Sequence, residues 1–201
     1  MWIVGALVVC LVLGFLVVRG RNRAANRVVA PSVLILDLSD GLDAAHIRDD
    51  RAVYGREFSS VKVSDRPDAV EAGPFDVVHV FAHADGDGRV AGLTLSGFMA
   101  LLASARPKLV VMASENPGSF LHGIRLPQAP PFSLIATSDR RGDRFPAFLG
   151  KLFHSMFAGR VLALAWSVLS PQTDGPGRDD EPVALCIPIF PGLSFAPARW
   201  R

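Results

Sequence analysis

The stretch DVVHVFAHADGDG, Asp76 to Gly88, decides how this chain is read. Its apolar run, Val77 to Ala82, has the length of a strand and carries no charge, the mark of a strand buried on both faces. The run stops at His83, and Asp85, Gly86, Asp87 and Gly88 follow at once, residue types that build tight loops. A buried strand therefore delivers an imidazole at its carboxyl end. In open α/β sheets that end is where ligands and catalytic groups gather.

Working outward, similar runs recur. SVLILDL (Ser32–Leu38), KLVVMA (Lys108–Ala113), FSLIAT (Phe132–Thr137) and VALCI (Val183–Ile187) read as strands, and the weaker, alternating Phe58–Val63 reads as one nearer an edge. Helical segments lie between them. Asp43 can cap a helix to about Tyr54, Pro67–Ala72 makes a helical turn or two, and Ser96 can cap a helix to Ser104 that presents Phe98, Leu101 and Leu102. From Asp143 the strongest amphipathic pattern begins: Phe145, Phe148, Leu149, Leu152, Phe153, Met156 and Phe157 share one face, with Pro146 tolerable in the first turn. Its opposite face is short of the Lys and Arg of a membrane-surface helix, so a core-facing helix is the better reading. Val161–Leu169 reads as a further helix. Pro117–Pro131 and Pro171–Glu181 read as loops, and the tail after Pro188 as irregular. This alternation predicts an α/β fold, a three-layer sandwich with a mostly parallel sheet of about six strands. The chain has no GxGxxG after its first strand and no GxxxxGK[ST], so dinucleotide and P-loop nucleotide binding lose their support.

The N-terminus is of another kind. Met1–Val18 has no charged side chain, and Arg19, Arg21, Arg23 and Arg27 follow it directly. The run is just long enough to cross a bilayer as a helix. A secretory signal would carry its basic residues before the run, so a retained anchor is expected, with the N-terminus outside and the remainder cytoplasmic. The expected organisation is residues 1–18 a transmembrane helix, 19–31 a basic juxtamembrane linker, and 32–201 one α/β domain. The formal charge is +2, and setting aside those four arginines leaves −2, which argues against a basic nucleic-acid binder. Cys10 and Cys186 form no disulfide framework and have no metal-site spacing. Cys186, inside an apolar run, reads as a small buried hydrophobe. HADGDGRVAGLT matches the third, fifth and sixth places of a calcium loop, but its first and twelfth places are His83 and Thr94, so calcium is rejected. His79, between Val78 and Val80, reads as a hydrogen-bonded core residue.

The segment VVHVFAHADGDGRVAGLTLSGFMALLASARPKLVVMASENPG resembles the core of the CHAT family, the caspase-like, separase-related branch of the caspase-fold cysteine peptidases. The shared order is a strand ending in His, a Gly-containing loop, a Leu-rich segment, a helix, and an apolar strand ending in a small residue. PFSLIATSDRRGDRFPAFLGKLFHSMFAGRVLALAWSVL looks like the family's next strand and long helix. The resemblance implies a flavodoxin-like sheet with helices on both sides. It also implies that His83 is the general base and that Ser114, after Val111, Met112 and Ala113, stands where the family has its nucleophilic Cys. Asp37, near the carboxyl end of the first strand, and Asp40 just beyond it, with Glu115, would line a pocket for a peptide's basic residue.

Serine in that place changes the chemistry. A thiolate forms readily near neutral pH, whereas a hydroxyl needs a base in contact and a third group to orient that base. Ala84 and Asp85 also intervene before the first loop glycine, where the family has a glycine close to the His. The expected function is a membrane-anchored caspase-like pseudopeptidase that binds a protein or peptide partner, with no cofactor, metal or nucleic acid and with oligomeric state open. The alternatives are an active Ser–His hydrolase using the same cleft and a plain scaffold with a vestigial cleft. Plainer roles also stand: His83 a loop histidine bonding backbone, Ser114 a turn cap, Asp40 a solvated turn residue.

Overall fold

A computed structural model describes residues 26–39, 44–113, 116, 130–137, 144–170, 184–190 and 192–198. The proposed membrane helix, the Asp43 cap, Asp40, Ser114 and Glu115 lie outside them. Among the described residues no helix is long and apolar enough to cross a membrane.

In chain order the elements are β1 (Arg27–Val29), β2 (Ser32–Asp37), α1 (Ala44–Tyr54), β3 (Ser60–Ser64), a 3-10 helix (Pro67–Ala72), β4 (Val77–Phe81) and α2 (Leu95–Ser104). They continue with β5 (Leu109–Met112), β6 (Ser133–Thr137), α3 (Arg144–Phe157), α4 (Leu162–Leu169), β7 (Ala184–Ile187) and β8 (Ser194–Ala196). The main sheet has six strands in the order β3-β2-β4-β5-β6-β7. All pairs are parallel except β6 with β7. The first five follow the doubly wound order of flavodoxin-type sheets, with the antiparallel β7 added at one edge.

The strand sequences explain the layering. Residues of β2, β4 and β5 are Val, Leu, Ile, Met and Phe almost throughout, and alternate ones face opposite sides. Val33, Ile35, Val77, Phe81, Leu109, Val111 and Ile135 pack under α1, α3 and α4. Leu34, Leu36, Val78, Val80, Val110, Met112 and Leu134 pack under α2 and the 3-10 helix. Both faces are covered, so the runs are continuously apolar. β3 is at the other edge, and its exposed Lys62 guards that edge against further pairing. Asp76 fixes where β4 starts: its Oδ2 accepts from the Ser32 N–H at 2.9 Å and the Ser32 hydroxyl at 3.1 Å, tying the amino ends of β2 and β4.

The amphipathic stripe is core-facing, as its lack of basic residues indicated. Phe145, Phe148, Leu149, Leu152, Phe153 and Met156 are buried, and Phe157 packs half-buried beside them. The α2 cap differs from expectation. Thr94, not Ser96, is the N-cap, its Oγ1 accepting from the Gly97 N–H at 3.2 Å. Phe98 and Leu102 are buried with Met99, while Leu101 is half-buried.

The tail after Pro188 is a correction. Residues Ser194–Ala196 form β8, which pairs in parallel with β1. The folded domain therefore starts before Ser32, within the stretch assigned to the linker. Phe195 carries the tail into the core, lying 5.6 Å from Phe58 and 5.5 Å from Phe157 between ring centroids.

β7 holds Cys186 against Ile135 of β6. Burial pushes the Cys186 thiol up to about 12. At pH 8 it is therefore a neutral thiol, and in a Cys10→Ser chain it should react with a disulfide reagent far more slowly when folded than in denaturant. The folded state holds this proton more tightly, so the stability linked to it is complete below the ordinary value of 9.0 and declines as the pH rises toward about 12. Thiol titration with and without denaturant reads the first effect, and unfolding curves over that pH range read the second.

Candidate functional site

β2 pairs with β3 on one side and β4 on the other, so the connections leaving β2 and β4 depart to opposite faces of the sheet. The carboxyl ends of β2 and β4 thus flank the switch point, where open α/β sheets form their binding crevice. Asp37 stands opposite Phe81 in register, and the Leu38 N–H donates to the Phe81 carbonyl at 2.7 Å, holding the two strand ends together. His83 lies two residues past Phe81, at this switch point. Its ring is half-buried and its Nε2 is shielded from solvent.

Asp37 interrupts the apolar run for a local reason. Its Oδ1 accepts from the Ser39 N–H at 3.1 Å and the Ser39 hydroxyl at 2.6 Å, closing the turn that leaves β2. The carboxylate is held in place beside the crevice by that turn.

The loop after His83 is internally closed. Asp85 Oδ1 accepts from the Asp87 and Arg89 N–H groups, both at 2.9 Å. The Asp85 N–H donates to the Arg89 carbonyl and the Gly88 N–H to the Asp85 carbonyl, also both at 2.9 Å. A second turn at Ala91 and Gly92 pairs Val90 with Leu93 in both directions. Gly88 and Gly92, at φ +74°, occupy the left-handed region where a side chain is strained. This arrangement commits Asp85 Oδ1 to backbone. Among the described residues no group of three or more His, Cys, Asp or Glu is placed to hold a metal. The amides of Ala84, Asp85, Asp87, Gly88 and Arg89 all have acceptors within the protein. An oxyanion site needs backbone donors aimed at the developing charge, and these five are engaged elsewhere.

Asn116 is the residue that sequence reasoning missed. Its Oδ1 accepts from the Ala84 N–H at 2.8 Å, and its Nδ2 donates to the Thr137 carbonyl at 3.0 Å. One buried amide thus links the backbone next to His83 with the carboxyl end of β6. In the sequence, Asn116-Pro117 reads as an ordinary turn, and no local pattern marks it. Asn116→Ala should deprive two backbone groups of this partner and cost about 2–3 kcal/mol. Hydrogen exchange should show the Ala84 amide losing protection, with the amides of β5 unchanged.

A second polar cluster lies beneath the sheet. His79 on β4 faces α1, where Tyr54 Oη is 3.0 Å from its Nδ1 and Asp50 Oδ2 is 3.5 Å from its Nε2. All three side chains are fully buried, and the imidazole stacks on Phe81 at 4.5 Å. The expected core role of His79 is what the structure has. Asp50 and Tyr54 were not foreseen, although with Ile47 they fall on one helical face. The order acid, imidazole, hydroxyl resembles a catalytic relay, but the burial closes it to any substrate, and its place is structural.

No protein-family model matches this chain, and no curated protein matches it either.

Proposed function

We propose that this chain is a membrane-anchored, caspase-like pseudopeptidase whose carboxyl-end crevice binds a protein or peptide partner without cleaving it. The observation that carries the reading is His83 two residues after β4 at the switch point, followed by a loop in which the amides of Ala84, Asp85, Asp87, Gly88 and Arg89 are already engaged. The histidine supports descent from a peptidase site, and the engaged amides argue against stabilisation of an oxyanion there. Ala113 and Asn116 flank Ser114 in the chain, and Asn116 is bonded to Ala84, the residue after His83. That tether supports pairing His83 with Ser114 as the remnant dyad. Asp37, oriented by Ser39, supports an acidic wall suited to Arg or Lys in a bound peptide, with Asp40 and Glu115 as further acids. Met1–Val18 and the arginines after it support single-pass anchoring with the domain on the cytoplasmic side.

A fluorophosphonate probe tests the reading. The full chain should remain unlabelled between pH 6 and pH 9. Labelling that vanishes in Ser114→Ala would establish the alternative, a working Ser–His hydrolase. Ser114→Cys should raise reactivity toward thiol-directed peptide probes, because the thiolate needs less help than the hydroxyl.

A further inference from the structure

α4, LALAWSVL, is apolar around its whole circumference apart from Ser167. A helix of that kind calls for burial on all sides. Leu162 and Ala165 are buried, yet Leu164 is 52% and Val168 41% exposed. These two lie one turn apart, and half-buried Val161 continues the same face toward the N-terminal end.

The position of this face says what it meets. The Leu162 N–H, at the start of α4, donates to the Leu193 carbonyl at 2.8 Å, and the next residue's amide, Ser194 N–H, donates to the Asn26 carbonyl at 3.2 Å. The start of α4 is thus next to the point where the chain leads back to Arg23, Arg21, Arg19 and the apolar Met1–Val18. The stretch Arg19–Asn26 reaches at most about 28 Å even when fully extended. Arg160, exposed just before α4, and Arg27, exposed on β1, add cations at the same end.

We infer that the outward face of α4, Val161, Leu164 and Val168, rests on the anionic inner surface of the membrane, with Arg27 and Arg160 meeting the head groups. This rests on the anchored reading above and deepens it. The aliphatic side chains enter the acyl boundary while the guanidinium groups stay with the phosphates. A bilayer suits the face better than the chain's own N-terminal segment, which has no polar side to turn outward. It suits it better than a second copy, whose arginines would repel these.

The test uses the full chain with Cys10→Ser and Cys186→Ala, reconstituted in phosphatidylcholine–phosphatidylserine vesicles. An environment-sensitive fluorophore is attached at Leu164→Cys or, for comparison, at Arg48→Cys on the exposed side of α1. With doxyl-labelled lipid, the Leu164→Cys probe should lose about half its emission, and the Arg48→Cys probe should be unaffected. Adding Val168→Asp, or omitting phosphatidylserine, should reduce the quenching. A blue-shifted but unquenched probe would mean a protein cover, and an unshifted, unquenched one a bare face; either overturns the inference. Alkaline extraction of the same vesicles separates the two claims. Protein that resists extraction while unquenched refutes docking alone, and protein that is extracted after having been quenched refutes the anchor alone.

Discussion

Replacing Asp50 by alanine is expected to destabilise the domain by about 3–5 kcal/mol, the loss typical of a buried pair broken on one side. The carboxylate is fully buried on α1 and its Oδ2 lies 3.5 Å from His79 Nε2. Alanine leaves a cavity and takes away a carboxylate that lies against this ring. Small domains have about 5–15 kcal/mol in total, so this one change removes a large share. The cost belongs to the orphaned polar groups rather than to any large net gain from the pair. The triple variant Asp50→Leu, Tyr54→Phe, His79→Leu should therefore recover most of the loss, since the three polar groups are then removed together. Urea unfolding followed by circular dichroism reads both. A triple variant as unstable as Asp50→Ala would contradict this explanation, as would a single variant with an unchanged midpoint.

Phe153→Ala should cost a similar amount, about 3–5 kcal/mol, for a different reason. Phe153 is nearly fully buried at the centre of an aromatic cluster. Its ring centroid is 5.3 Å from Tyr54, 5.2 Å from Phe58 and 6.2 Å from Phe195. These rings come from α1, the turn after it, α3 and β8, so one truncation opens a cavity that several elements share. Phe195→Ala should weaken the same cluster, and the double variant should lose less than the sum, because the two sites are coupled through shared neighbours. Loss of Phe195 should also raise hydrogen exchange in β1, which is held by β8. Additive losses and an unchanged β1 would mean that the tail packs independently of α3.

Which parts were legible follows from how locally each is encoded. β2, β4, β5 and β6 are readable because burial on both faces makes each a continuous apolar run, and β3 alternates because it is at the edge. β1 and β8 escaped because RVV and SFA are three residues each, too short for any period to show. Their pairing joins opposite ends of the chain and exists only in the folded state. Thr94 and Ser96 both offer a hydroxyl to α2, and composition alone does not separate them. Asp50 was illegible because HIRDDRAVY reads as a solvated helix. His79, on a strand distant in sequence, lies against it and helps make a buried acid tolerable there. At the crevice, His83 was readable from the abrupt end of an apolar run. Asn116 was not, because its importance comes from Ala84 and Thr137, which are far from it in sequence.

The most direct test of the central claim offers the full chain a set of fluorescent peptides with and without Arg or Lys. Anisotropy follows binding, and mass spectrometry follows the peptide ends. Basic peptides should bind, Asp37→Asn should weaken them about tenfold, and every peptide should be recovered intact. New peptide ends that appear with the native chain and are absent with Ser114→Ala would contradict it.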